Sequence, residues 1–137
     1  INGLLSAGGE ARTIEYSEVE ALVIQGRFHE ALVMYRAIAE ETPDADVRLR
    51  LGDLMLHQLK DPVGAEEAYL AARRASPTPK QESRITNSLI DLYRGTGNRT
   101  GMKNELSRFA RLHAGTAPGD AARETVRRMA QEELGEA

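Results

Sequence analysis

The sequence predicts an all-α fold, in which about seven helices form antiparallel pairs within one domain. Apolar residues recur at helical spacing between short turns, and no segment alternates with the period of two that is typical of strands. Similar stretches recur 34 residues apart, which indicates that the helices come in repeated pairs. The 137 residues are enough for a single domain with its own core.

Turn and cap residues give the bounds of the predicted helices. Pro43 ends the second helix, because proline cannot continue the hydrogen-bond ladder, and Asp61-Pro62 is a typical N-cap followed by proline at the first helical position. The longest predicted connection is Ser76 to Ser83, and the sequence from Gly95 to Asn98 predicts a turn. The predicted helices span about 14–25, 28–41, 46–59, 62–74, 80–94, 100–113 and 120–134.

Composition and charge exclude several classes of function. The chain has no Cys, which excludes disulfides and thiolate metal sites. Its formal net charge of −3 comes from interspersed acids and bases, so we expect no nucleic-acid partner. No apolar run approaches the length that crosses a bilayer. We expect residues 1–11 to be a linker or the end of an upstream segment, so that the parent protein is either a soluble cytoplasmic or periplasmic protein or membrane-anchored.

Motifs for catalysis and for cofactors are absent from the sequence. The glycine-rich stretch Gly95 to Gly101 resembles a phosphate-binding loop, but it lacks the preceding strand and the required spacing. His29, His57 and His113 lie in separate segments without the spacing of a metal site. No strand-turn-helix context surrounds a serine as in a nucleophile elbow. We therefore predict a non-enzymatic protein with no catalytic residues, no metal and no cofactor.

Small, aromatic and proline residues recur at the same spacing in the first two units: Ala31 and Ala65, Tyr35 and Tyr69, Pro43 and Pro77. We expect the alanines to pack where helices approach closely and the tyrosines to fill the space between successive pairs. With these residues, the second helix of the repeat resembles helix B of the tetratricopeptide repeat family. The third unit is more divergent, and the second fits if its turn around residues 59–63 holds one extra residue. The resemblance implies a right-handed α-solenoid with repeats at about 12–44, 45–79 and 83–117 and a capping helix at 120–134. It also implies a concave groove lined by the first helix of each pair.

The resemblance places eleven residues on that groove, including one acid from each repeat. Glu20, Asp53 and Asp91 form this acidic row, which would suit a peptide carrying a basic residue and apolar anchors. The alternative interpretation is a solvated helix face whose carboxylates meet neighbouring arginines. The predicted groove residues are Tyr16, Glu20, Val23, Leu49, Asp53, Leu56, His57, Arg84, Asn87, Asp91 and Arg94.

Two functions remain open on the sequence alone. The first is an interaction module that binds a protein or peptide in its groove, as the resemblance implies. The family's clamp for a terminal carboxylate is disfavoured, because Arg84 alone keeps the expected charge among its positions. The second is a structural or oligomerisation domain of a larger protein, which would self-associate or reach a membrane through an upstream segment.

Overall fold

The computed structural model describes residues 15–136, and within this range the chain is all-helical with no strand. The prediction of an all-α fold is therefore confirmed. Residues 1–11, predicted as a linker, and Ile14, predicted to begin the first helix, lie outside the described residues. The helices are α1 Ser17–Ile24, α2 Phe28–Glu41, α3 Ala45–Asp53, α4 Pro62–Arg73, α5 Pro79–Thr96, α6 Arg99–Leu112 and α7 Ala117–Glu136.

Most helix ends follow the cap residues of the sequence, but α5 continues through Gly95 and Thr96, which were predicted as part of a turn, and α7 begins three residues before its predicted start. Asp61 caps α4 by accepting a hydrogen bond from the Gly64 amide at 3.0 Å. Before α5, Thr78 and Gln81 form a capping box, so that this helix begins at Pro79, inside the predicted connection. Gly97, with a φ of 74°, ends α5 in the left-handed conformation that favours glycine.

α3 continues directly into a π-helical segment, Leu54–Gln58. The wider turn is closed by hydrogen bonds from the Leu59 amide to the Leu54 carbonyl at 3.1 Å and from the Asp61 amide to the Met55 carbonyl at 2.8 Å. A π turn inserts one residue into an α-helix without breaking it. The structure thus has one extra residue at Leu54–Gln58, just before the turn at residues 59–63 where the sequence alignment placed it.

Each helix packs against the next one along the chain, and α3 also contacts α5. Close approach depends on small residues, since Ala31 and Ala65 are both fully buried. Gly52 lies under the ring of Tyr69, where an added Cβ would be 2.5 Å from Cε1 of the tyrosine. The repeated alanines and tyrosines are therefore core residues, as the sequence predicted.

The core has two parts. The larger part joins α1 to α5, and the smaller part lies between α5, α6 and α7, where Ile90, Leu106, Ala110, Ala122 and Met129 are buried together. α7 thus covers apolar side chains of the last pair. No helix within residues 15–136 is long and apolar enough to span a membrane.

An ion-pair network fixes α4 against α5 and α6. Arg73 donates two hydrogen bonds to Glu105, at 2.7 and 3.0 Å, and a third to the hydroxyl of the fully buried Thr86. Its Nε lies 3.4 Å from a carboxylate oxygen of Glu82, which also accepts a hydrogen bond from Arg108. Removing one partner of such a buried pair typically costs about 3–5 kcal/mol, so the network holds the three helices in one register.

Candidate functional site

α1, α3 and α5 share one face of the molecule, because charged side chains connect them directly. Arg50 of α3 bonds to Glu20 of α1 at 3.0 Å, and Asp53 of α3 accepts a hydrogen bond from Arg84 of α5 at 2.8 Å. This surface, here called the A face, consists of Glu20, Arg50, Asp53 and Arg84 together with the lining residues of the two clefts beside them. It contains most of the residues that the sequence predicts to line a groove.

Two clefts lie along the A face. The first, between α1, α3 and α5, has a volume of about 320 Å³, and Val23, Tyr35, Leu54 and His57 are among its lining residues. The second, between α5, α6 and α7, has a volume of about 280 Å³. Both clefts combine an apolar floor with charged rims, as small-molecule and peptide sites commonly do.

α5 separates the two clefts and contributes polar side chains to both. Arg84 lines the first cleft, whereas Asn87, Asp91 and Arg94 line the second. These four positions are spaced by three or four residues, so they form one stripe along the helix. The structure therefore brings together the predicted groove residues of the third repeat on one helix face.

Arg50 organises the charges around the first cleft. Its guanidinium lies 3.9 Å from the centre of the Tyr16 ring and also bonds to Glu20 and to Asp46, the latter at 3.1 Å. Burial alone lowers the pKa of Arg50, but its hydrogen bond with Asp46 and the nearby charges outweigh burial and raise it. Arg50 is therefore held in place by partners on two helices.

Asp53 joins the A face to the core behind it. One of its carboxylate oxygens accepts a hydrogen bond from the Tyr69 hydroxyl at 2.7 Å, and the other is bonded to Arg84. Burial, followed by the hydrogen bond to Asp53, raises the pKa of Tyr69 well above its ordinary value. Tyr69 therefore stays protonated and keeps Asp53 oriented toward the cleft.

Each carboxylate of the predicted acidic row has an arginine partner. Glu20 pairs with Arg50, Asp53 pairs with Arg84, and Asp91 pairs with Arg94 at 3.0 Å. This is the arrangement described by the alternative interpretation, a helix face whose acids meet neighbouring arginines. A basic group of a partner would therefore have to displace an arginine of the chain, and the role of the row in binding stays a prediction.

Two predicted groove residues are buried and cannot contact a partner. Leu49 is 0% exposed, because α3 is enclosed by α2, α4 and α5 and has buried residues around most of its circumference. Tyr16 is 8% exposed; its ring packs against Tyr35 and Arg50. Burial is the main cause that raises the pKa of Tyr16. By contrast, Val23 and Leu56 are half-buried, and His57 is exposed at the rim of the first cleft.

Two features of this region were not predicted. Asp46 and Arg50 lie four residues apart in α3, a spacing that could have identified their ion pair. The second feature is a hydrogen bond between Ser83 Oγ and His113 Nε2 at 3.0 Å, which joins the start of α5 to the end of α6. No carboxylate within residues 15–136 bonds to the other ring nitrogen, so the pair lacks the third group that orients a catalytic base.

Comparison with known proteins adds no family to these observations. No family model matches the chain, and no curated protein matches it either. In the part of the chain that the structure describes, no group of three His, Asp or Glu side chains is placed to hold a metal ion.

Proposed function

We propose that this protein is a non-enzymatic interaction module, a tetratricopeptide-like stack of three helix pairs closed by α7, which binds a peptide or protein surface on its A face. The observation that carries the proposal is the continuity of this face. Charged contacts tie α1 to α3 and α3 to α5, and clefts lie on both sides of α5. A row of parallel helices with clefts between them is a rigid platform for an extended ligand.

The charges on the A face specify the kind of ligand. Around the first cleft, Glu20, Asp46 and Asp53 are balanced by Arg50 and Arg84, which leaves a formal charge of −1. Asp91 and Arg94 form a neutral pair beside the second cleft. Because acids and bases alternate, we expect a partner that carries both acidic and basic residues beside apolar side chains that enter the clefts, rather than the peptide with a basic residue and apolar anchors that the acidic row alone would suit.

The test is a selection of random peptides displayed on phage, followed by affinity measurements. The groove variant replaces Asp91 and Arg94 with Ala, and the matched control replaces Glu40 and Arg36, an exposed acid and base of α2 that line neither cleft. We expect selected peptides to bind the groove variant about tenfold more weakly and the control like the unmodified protein. Equal affinity for both variants, or no enrichment of any peptide, would contradict the proposal.

A further inference from the structure

A third cleft lies on the first helix pair and is not part of the A face. It is a cleft of about 790 Å³ between α1 and α2, on the side away from α3, and we call it the end cleft. Apolar side chains make up half of its lining residues, and one of them, Val33, is 67% exposed. The apolar lining consists of Ala21, Leu22, Val33, Met34 and Ala37.

The packing of the other pairs indicates what fits such a cleft. The pair α3/α4 contacts α2 on one side and α5 on the other, and α5/α6 lies between α4 and α7. Within residues 15–136, the pair α1/α2 contacts α3 but has no helix on its opposite side. The lining of α2 runs from His29 to Ala37, which corresponds to about 12 Å at 1.5 Å per residue. A helix of two to three turns matches this length.

Charge decides which helix is complementary to the end cleft. The charged residues that line the cleft are Glu18, Arg27 and Glu30, which leave a formal charge of −1, and they belong to a helix pair, residues 15–41, whose six Glu and two Arg give −4. At the cleft itself Arg27 is paired with Glu30 at 2.6 Å, whereas Glu18 has no ion pair within the described residues. A second copy docked through the same surface would bring two unpaired Glu18 carboxylates into one interface, which is unfavourable.

We propose that the end cleft binds a basic amphipathic helix of a partner protein, with apolar residues on the cleft floor and Lys or Arg beside Glu18. Helix-in-groove recognition uses apolar anchors at i, i+3, i+4 and i+7, and long basic side chains at the rim of the groove. Met34 contributes a flexible side chain to the cleft, and the small side chains of Ala21 and Ala37 leave room for larger apolar anchors of the partner. This site is distinct from the A face and does not depend on it.

The probe is a fluorescent peptide of about 14 residues, with Leu at the four anchor positions and Lys and Ala elsewhere. One control peptide carries Glu in place of Lys, and a second has the same composition in an order without an apolar stripe. Anisotropy is measured with the full chain, with Val33→Asp and with Val63→Asp. Val63 is a matched control, because it is 69% exposed but lies on α4, outside the end cleft.

We expect the Lys peptide to bind the unmodified chain and Val63→Asp equally, and Val33→Asp at least about tenfold more weakly. The Glu peptide and the peptide without a stripe should bind more weakly than the Lys peptide. Equal binding of the Lys peptide to both variants, or of all three peptides to the chain, overturns the proposal. So does a dimer in sedimentation that Val33→Asp dissociates, since a second copy then fills the cleft. Binding that requires removal of residues 1–14 overturns it too, because the chain's own segment is then the occupant.

Discussion

The two ends of the helix stack differ in what they present to solvent. At the α1/α2 end, Leu22, Val33 and Met34 line an open cleft, and no helix of the described chain covers them. At the other end, α7 buries Ala122 and Met129 and turns outward the exposed ion pairs Asp120–Arg123 and Glu124–Arg127. α7 therefore covers the apolar side chains of α5 and α6, whereas no helix within residues 15–136 covers those that line the end cleft of α1 and α2.

Deletion of α7 should have the largest effect on stability, because it would expose the apolar side chains of α5 and α6 that α7 covers. Deletion of residues 115–137 exposes the apolar side chains of Ile90, Leu106 and Phe109 and removes those of Val126 and Met129. We expect a loss of on the order of 5 kcal/mol in the free energy of unfolding, measured by urea denaturation, together with binding of a hydrophobic dye. As a control, replacing the exposed Arg123 and Arg127 with Ala should change stability by less than about 1 kcal/mol. Unchanged stability of the truncated protein would show that α7 does not close the stack.

Truncation of one apolar side chain at each end tests the same difference at single residues. Met129→Ala, at a position that is 4% exposed, should cost about 2–4 kcal/mol through lost burial and the resulting cavity. Val33→Ala should cost less than about 0.5 kcal/mol, because Val33 is already mostly exposed. Thermal and urea unfolding measure both values. If Val33→Ala destabilises as strongly as Met129→Ala, the end cleft is already covered in solution.

Substitutions at two glycines compare the stability effect of an added methyl group at a buried position and at an exposed one. Gly52→Ala should destabilise by about 1–3 kcal/mol, since the new Cβ would meet the ring of Tyr69 between α3 and α4. Gly95→Ala should stabilise by about 0.5–1 kcal/mol, because Gly95 is helical and a Cβ there meets no atom within 4 Å. Urea denaturation should therefore give shifts of opposite sign, and a Gly52→Ala variant that is as stable as the unmodified protein would contradict the contact between Gly52 and Tyr69.

The smallest expected effect concerns the ion pairs that hold α7 against α6. Glu133 accepts a hydrogen bond from Lys103 at 2.8 Å, and this bond is the main cause that lowers the pKa of Glu133. A lowered pKa stabilises the fold above the unfolded value of about 4.3, and this contribution is lost as the pH falls through the folded pKa. Glu133→Gln should therefore lower the Tm slightly at pH 7, and this difference should disappear as the pH falls through the folded pKa of Glu133. Glu67→Gln, at an exposed position of α4, is the matched control, and an equal pH dependence in both variants would contradict the role of Glu133.

Most of the helix bounds could be predicted from the sequence, because they depend on local chemistry. The second helix was predicted to its end residues, and the cap at Asp61 was identified, since proline and capping side chains act within a few residues. The start of α7 was predicted three residues too late, because Pro118 and Gly119 give this stretch the composition of a turn, although the Thr116 hydroxyl caps the helix by accepting a hydrogen bond from the Gly119 amide at 3.1 Å.

The candidate site was predicted less completely than the fold. The stripe from Arg84 to Arg94 was placed on one helix face, because helical periodicity suffices for that. The arginine partners of the acidic row could not be predicted in the same way, since Glu20 and Arg50 lie 30 residues apart and come into contact only after two helices have packed. Leu49 has the spacing of a groove residue but is buried, because the number of neighbours around α3 is a property of the assembled stack.

The sequence by itself determined that the chain is helical, where most helices begin and end, and that Ala31, Ala65 and Tyr69 belong to the core. These properties follow from periodicity, caps and side-chain size, which act over a few residues or recur at a fixed spacing. Only the tertiary structure decided which carboxylates are paired, how α4 is fixed by the Arg73–Glu105 pair, and which end of the stack is open. Those properties depend on how the packed helices are positioned relative to one another. This positioning results from all the contacts of the chain together.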